Sequence, residues 1–227
     1  MENQPDLSFY FAIHQAQRDA LRRYLHAVTT LTGDERAVRG KALVRWAKGF
    51  LRELEEHHYV EDMFFFPSLR DRVASAGATI DGLEDDHRRL DGLLARWPAV
   101  AAALADLGAP FGAAQADAVA FAHELHDFLD LHLAVEDQDL LPLFWRHYTA
   151  ADYDAVVQQA VKKGKKAGMW FVAPFTVDCY PEGQARDDFL ASVPGVLRLL
   201  HRLVRPSYDR LLATALGPVP VGDARPS

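Results

Sequence analysis

Apolar residues recur at three- and four-residue spacing over long stretches of the chain, which is the period of an α-helix. Signals for strands are scarce. Asp81 and Glu84 predict a capping box at the start of one helix, and Pro98 is expected to end or kink that helix. Four long helices are predicted before residue 149, at about residues 7–31, 35–66, 81–97 and 111–147.

Short connections between these helices favour antiparallel neighbours. We therefore predict an all-α protein, namely an up-down antiparallel four-helix bundle with a C-terminal helical extension. The bundle is assigned to residues 1–148 and the extension, packed on the bundle, to residues 149–227.

The predicted extension has a more broken pattern than the bundle. Residues 169–181 are apolar but interrupted by prolines, which predicts an extended or irregular segment packed against the rest of the protein. The tail after about residue 217 is rich in proline and small residues, and we predict that it is disordered. Helices are predicted at residues 151–161 and 187–216, the second with breaks near Pro194 and Pro206.

Composition narrows the classes of protein that fit. Of the 227 residues 49% are hydrophobic, yet no apolar run approaches the roughly 18 residues that span a bilayer. The N-terminus lacks the basic and apolar regions of a signal peptide, and the one cysteine cannot form an internal disulfide. A net charge of −7 argues against nucleic acid as a partner. We therefore predict a cytoplasmic protein with neither a membrane nor a nucleic acid as its partner.

One motif occurs twice, 75 residues apart. Both copies have His, Val, Glu, Asp and Pro at the same offsets, and both lie late in a long predicted helix. The copies are His57-x-x-Val60-Glu61-Asp62-x4-Pro67 and His132-x-x-Val135-Glu136-Asp137-x4-Pro142.

The spacing within the motif places its histidine and glutamate on one helix face. Four residues turn a helix by about 400° and advance it by about 6 Å, so His57 and Glu61 point toward one spot, as do His132 and Glu136. Apolar neighbours at helical spacing mark this face as buried. A buried carboxylate costs several kcal/mol unless its charge is compensated, and a metal ion would compensate it. Two facing pairs would supply a site for two metals.

Two single histidines complete the pattern. His14 lies in the first predicted helix and His87 in the third, each near an apolar face. His14 precedes His57 by 43 residues and His87 precedes His132 by 45, so each half of the bundle offers one lone histidine and one His-x-x-x-Glu pair. The candidate metal ligands are His14, His57, Glu61, His87, His132 and Glu136.

This ligand pattern resembles the hemerythrin-like, HHE cation-binding domain over roughly residues 8–148. The resemblance implies a four-helix bundle with two iron ions in a non-heme diiron centre, bridged by an oxo or hydroxo group. It implies that the four histidines are terminal ligands and that Glu61 and Glu136 bridge the irons. Members of the family bind or react with dioxygen, hydrogen peroxide or nitric oxide, or sense iron and oxygen.

Three functions therefore compete. The first is a diiron protein whose partner is a small oxidant, with catalase-like, peroxidase-like or nitric-oxide-reactive activity. The second is an iron, oxygen or redox sensor whose interaction surface includes residues 169–181. The third is a metal-free structural bundle.

The chain departs from oxygen-carrying hemerythrins at one ligand. Those proteins place a second histidine four residues after the one in the third helix, where this chain has Asp91. Water, Asp91, Asp137 or Tyr10 are the candidates for the missing ligand. The second copy of the motif has a leucine in the place of His58, so we predict His57 as the ligand. His58 and Asp62 are expected next to the ligands or at the solvent edge.

Overall fold

Helices dominate residues 3–164 and 168–217, the part of the chain that the computed structural model describes. No strand occurs in these residues, and the all-α prediction is confirmed. The tail that was predicted to be disordered lies outside the described residues. In chain order the α-helices are α1 (Ser8–Thr30), α2 (Lys41–Val60), α3 (Phe66–Arg72), α4 (Gly77–Leu94), α5 (Trp97–Ala105), α6 (Phe111–Val135), α7 (Leu141–His147), α8 (Ala150–Lys163), α9 (Met169–Asp178), α10 (Gln184–Ser192) and α11 (Gly195–Leu216).

Wide π-helical turns lie within both copies of the repeated motif. They cover Glu61–Phe65 and Glu136–Leu140, and they join α2 to α3 and α6 to α7 without a loop. The second residue of α3 and of α7 is the motif proline, whose ring would clash with the carbonyl four residues earlier in a regular α-helix. A wider turn relieves that clash. The helix predicted to end near residue 66 therefore continues to Arg72.

Two local predictions are wrong. The third long helix begins at Gly77, so Asp81 lies inside α4, where its carboxylate accepts a hydrogen bond from Arg70 of α3 at 2.7 Å. The apolar segment 169–181 is mostly helical as α9, with Pro174 inside the helix. In both cases a contact with another helix outweighs the local signal, since packing supplies most of the stability of a helix in a folded protein.

The prolines of the last predicted helix behave differently from each other. Pro194 separates α10 from α11, as predicted, whereas Pro206 lies inside α11 without a break. Among the described helices, none is both long and apolar enough to cross a membrane.

The core consists of two apolar clusters with a layer of buried histidines and glutamates between them. The first cluster is centred on Tyr24, Trp46, Phe50 and Trp97, where the Trp97 indole N–H donates to the Tyr24 hydroxyl at 3.0 Å. The second contains Tyr10, Phe65, Phe66, Phe144 and Tyr153. In the sequence of each long helix, the histidines and glutamates of the layer lie between residues of the first cluster and residues of the second.

Arg36 is buried beside the C-terminal end of α5. Its buried guanidinium donates hydrogen bonds to the carbonyls of Ala103, Leu104 and Ala109 at 2.7–2.9 Å. The carbonyls at a helix C-terminus lack partners within the helix and carry partial negative charge. These carbonyl groups therefore offset the charge of Arg36.

The C-terminal helices cover both apolar clusters. Phe171 of α9 is fully buried, and its ring lies 6.2 Å from that of Trp46 in α2. Tyr153 of α8 packs edge-on against Phe65 at 5.8 Å, beside the histidine layer. Thr149 opens α8 with a capping box. These contacts place α8 and α9 against helices from the first part of the chain.

Gly49 allows α9 to approach α2 closely. A Cβ added at Gly49 would overlap the Phe171 ring, whereas one added at Gly82, in α4, would meet nothing within 4 Å. We expect Gly49→Ala to lower the free energy of unfolding by about 1–3 kcal/mol through overpacking. Gly82→Ala should raise it by about 0.5–1 kcal/mol, because alanine loses less entropy in a helix. Urea denaturation measures both, and stabilisation by Gly49→Ala would contradict this packing.

Candidate metal centre

All six predicted ligands converge in the buried layer. His14 comes from α1 and His87 from α4, while the two His-x-x-x-Glu pairs come from the ends of α2 and α6 and the π turns that follow. Five of the six are at most 3% exposed. The exception is His57, whose side chain is 10% exposed. The layer is thus closed to bulk water except beside His57.

The donor atoms form two groups that share one carboxylate. Within each group the nitrogen and oxygen atoms lie within 4.8 Å of one another, close enough for a single ion to reach them all. Glu61 belongs to both groups. The first group is His14, His57, Glu61 and Glu136, and the second is His58, Glu61, His87 and His132.

Each glutamate has one oxygen near a histidine of the first group and the other oxygen near a histidine of the second. Glu61 Oε1 lies 3.2 Å from His57 Nε2, and its Oε2 lies 3.6 Å from His87 Nε2. Glu136 Oε2 lies 3.3 Å from His14 Nε2, and its Oε1 lies 3.4 Å from His132 Nε2. Each carboxylate therefore directs one oxygen toward each group of histidines, which is the arrangement that a bridging carboxylate needs.

His58 is more central than the sequence indicates. It is 5% exposed rather than at the solvent edge, and its ring stacks on that of His87 with centroids 4.3 Å apart. Burial and the neighbouring imidazoles His87 and His57 hold its pKa well below the usual value, so the ring is neutral. Neither ring nitrogen has a hydrogen-bond partner in the described part of the chain. His58 thus supplies the second group with a third imidazole.

The aspartates of the two motifs orient the lone histidines. Asp137 Oδ1 lies 2.7 Å from His14 Nδ1, and Asp62 Oδ1 lies 2.8 Å from His87 Nδ1. Because a carboxylate only accepts, each Nδ1 carries a proton and each Nε2 is directed into the centre. Arg18 holds Asp137 from the other side, with Nη2 2.9 Å from Oδ2. The two halves of the layer therefore support each other's histidine.

Tyr10 and Asp91, two candidates for the missing ligand, lie in different surroundings. The Tyr10 hydroxyl donates to Glu61 Oε1 at 2.5 Å. Burial, followed by the charges of Glu61 and Glu136, raises the pKa of Tyr10 well above its usual value, so the phenol keeps its proton. Asp91 is on the exposed side of α4. Tyr10 therefore positions a carboxylate, and Asp91 has no part in the layer.

The electrostatics of the layer are those of a site that lacks compensating charge. Burial opposes the protonation of His14, but Asp137, Glu61 and Glu136 outweigh it and raise the pKa of His14 to about 9. Buried polar atoms without a hydrogen-bond partner are rare in proteins and cost free energy. Within the described residues, such atoms include His14 Nε2, His57 Nε2, Glu61 Oε2, Glu136 Oε1 and Glu136 Oε2. A cation would satisfy all of these atoms at once, so the residues fit a metal.

A buried acid beside the layer, Glu53, was not among the predicted site residues. Glu53 lies one helical turn before His57, is 3% exposed, and accepts a hydrogen bond from Gln17 Nε2 at 3.2 Å. Burial is the main cause that raises the pKa of Glu53 to about 8. The Glu53-x-x-x-His57 spacing was the available signal, but it occurs only once in the chain.

The phenylalanines after Glu61 shield the layer. Phe66 stacks on His87 with centroids 5.5 Å apart, and Phe65 meets Tyr10 edge-on at 5.4 Å. Both rings are at most 6% exposed. These apolar walls exclude water and lower the local dielectric constant, which strengthens interactions between charges in the layer.

Buried imidazoles and carboxylates that converge from several helices define a metal-binding helical protein. The chain matches the family model of the Hemerythrin HHE cation binding domain over residues 7–152, and it belongs to this family. The resemblance inferred from the repeated motif is thereby confirmed. Comparison with curated proteins and with solved structures gave no match.

Proposed function

We propose that this chain is a non-heme diiron protein that binds or reacts with a small oxidant, namely dioxygen, hydrogen peroxide or nitric oxide. One observation carries the proposal. Glu61 and Glu136 each direct one oxygen toward the first group of histidines and the other toward the second. A site for a single ion would not need two carboxylates in this arrangement.

The proposed ligands divide unequally between the two irons. His14 and His57 would hold one ion, and His58, His87 and His132 the other, with both glutamates shared. The two groups contain only imidazole and carboxylate donors, which suit iron or manganese better than copper(I). The ion with fewer protein ligands would be the one beside His57, the partly exposed member, so this is the side where we expect the oxidant to arrive.

The chain's own residues would prepare the site for this chemistry. Bound iron would supply electrons and open coordination positions for the oxidant. Asp137 and Asp62 keep the lone histidines in the tautomer that presents Nε2 inward. The Tyr10 hydroxyl donates a hydrogen bond to Glu61 Oε1, with the two oxygens 2.5 Å apart, beside the group that contains His57. Phe65 and Phe66 keep bulk water from the layer.

We further propose that residues 1–148 form an up-down four-helix bundle and that residues 149–227 form an extension packed on it. The packing of α1 against α6 and of α4 against α6 supports this architecture. The sensor hypothesis loses its main support, because most of segment 169–181 is buried or half-buried against the core rather than free as a surface.

Metal analysis tests the proposal. Protein loaded with iron(II) without oxygen should contain about two irons per chain. Addition of hydrogen peroxide, oxygen or nitric oxide should change its optical spectrum, and peroxide should be consumed. A metal-free structural bundle would retain no iron after desalting. A protein that holds two irons but responds to none of the three oxidants would refute the proposed reactivity while leaving the metal site intact.

Removal of an orienting carboxylate should weaken metal binding. We expect Asp137→Asn to lower iron affinity about 10- to 100-fold, because the acceptor that orients His14 loses its negative charge. Asp62→Asn should have a smaller effect, since Asp62 is 39% exposed and Asp137 only 18% and held by Arg18. Competition with a chelator measures the iron affinity of both variants. Equal losses of affinity would contradict the inference that Asp137 orients its histidine more firmly than Asp62 does.

The role of His58 is testable through the internal repeat. Leu133 stands at the equivalent position in the second motif, so His58→Leu makes the two copies alike and keeps a buried apolar side chain. We expect this variant to fold and to bind its second iron at least about tenfold more weakly, since one ligand is lost. Unchanged affinity for both irons would show that His58 only packs beside the ligands.

A further inference from the structure

A cavity that shares no residue with the histidine layer lies between α1, α2, α9 and α11. Its volume is about 220 Å³. It exists because α1 presents two small residues, Ala16 and Ala20, at a spacing of one helical turn toward the C-terminal helices. Arg23 follows on the same side of α1, nine residues beyond His14 and about 13 Å further along the helix.

The walls of the cavity are mainly apolar and aromatic. Trp46 and Phe175 form two sides, and Leu212 and Leu216 of α11 form a third. Pockets of this kind bind small organic molecules when a few polar groups converge in them. The size suits a single aromatic ring or a short aliphatic chain.

Arg23 is the basic residue of the lining whose guanidinium has an unsatisfied donor among the described residues. Its Nε is buried and has no hydrogen-bond partner in the described part of the chain, and its Nη2 makes only a long contact of 3.4 Å with the carbonyl of Gly217. No ion pair to Arg23 occurs among those residues. The acids of the lining have other partners, since Asp19 pairs with Arg22 and Asp178 with Arg205.

Tyr208 adds a second uncommitted donor. The residue lines the cavity and is 2% exposed, and its hydroxyl forms no hydrogen bond to the residues that the structure describes. A guanidinium and a phenol beside apolar walls are complementary to a carboxylate attached to a flat or aliphatic body. A cationic ligand would instead be repelled by the guanidinium of Arg23.

We propose that this cavity is a binding site for a small organic monocarboxylate, whose carboxylate pairs with Arg23 and whose apolar body packs on Trp46 and Phe175. The site is separate from the metal layer and does not depend on the proposed diiron chemistry. It gives the C-terminal helices a function besides packing, because α9 and α11 complete its walls.

Titration of the full-length, iron-loaded protein with benzoate tests the proposal, with calorimetry and tryptophan fluorescence as readouts because Trp46 lies in the wall. Benzoate should bind with one-to-one stoichiometry. Benzamide has the same shape but is neutral, and it should bind at least about tenfold more weakly. A hydrogen bond to a charged group contributes more free energy than a tenfold change in affinity corresponds to.

Three variants localise the binding. Arg23→Gln should reduce benzoate affinity about tenfold, and Ala20→Leu, which fills the cavity, should abolish it. Arg96→Gln is the matched control, because Arg96 pairs with Glu124 on the surface away from the cavity, and it should leave affinity unchanged. Equal binding of benzoate and benzamide, full affinity in Arg23→Gln, or no saturable binding of benzoate would each overturn the proposal. Circular dichroism checks folding, and if Arg23→Gln does not fold, the benzoate-to-benzamide ratio and Ala20→Leu decide.

Discussion

Glu61→Gln should remove both metals, reducing the iron content from about two per chain to well below one. Glu61 is shared by both groups of donor atoms, with one oxygen 3.2 Å from His57 Nε2 and the other 3.6 Å from His87 Nε2. Glutamine preserves the size of the side chain but removes the charge and one of the two acceptor oxygens. Substitution of a residue that only orients a ligand lowers metal affinity by about 10- to 100-fold. We therefore expect substitution of a shared ligand to lower the affinity by more than about 100-fold at both metal positions.

Two comparisons make the result specific. His57→Gln removes a member of only one group, so about one iron per chain should remain. Glu55→Gln lies on the same helix, but Glu55 is 36% exposed and pairs with Arg52, so metal content should not change. Inductively coupled plasma mass spectrometry of desalted protein measures all three variants. If Glu61→Gln kept two irons, the bridging assignment would be wrong.

The largest expected effect on stability comes from Glu53. In the metal-free protein, burial raises its pKa from 4.5 to about 8, so the folded state holds a proton that the unfolded state releases between these values. Stability from this group is therefore fully present below pH 4.5, is lost as the pH rises toward 8, and is constant above. The expected slope is about 1.4 kcal/mol for each pH unit.

Glu53→Gln should abolish this slope, because glutamine resembles the protonated acid and does not titrate. The difference in free energy of unfolding between the variant and the natural protein should be small near pH 5 and should grow toward pH 8. Urea denaturation with a chelator present measures the difference. Glu55→Gln again serves as the control and should follow the natural protein at every pH. A difference that stays constant with pH would show that Glu53 is ionised in the folded state.

The sequence places the candidate ligands together because the pattern that relates them is local. His57 and Glu61 share a helix face through their four-residue spacing, whatever surrounds them. Because the same spacing recurs at His132 and Glu136, a chance occurrence is improbable. The lone histidines then followed from the matched separations in each half. All six converge in the structure, and the two motifs lie where helices were predicted.

Predictions that rested on a single local signal were less successful. Asp81 and Glu84 have the spacing of a capping box, yet Arg70 of the neighbouring helix binds both carboxylates. Pro174 suggested an irregular segment, but the burial of Phe171 and Phe175 favours a helix there. A capping or breaking signal contributes about a kcal/mol or a few, and packing between helices outweighs it.

The inward position of His58 and the pairing of Glu53 with Gln17 depend on residues far away in the chain. Periodicity places His58 next to His57 but does not tell which neighbouring ring it meets, and the repeat favoured His57 because the second copy has Leu133. Only the packing of α4 beside α2, which stacks His87 on His58, brings this histidine into the second group. Helical period and spacing therefore define which side chains share one helix face, whereas contacts between faces depend on how the helices pack, which no local pattern encodes.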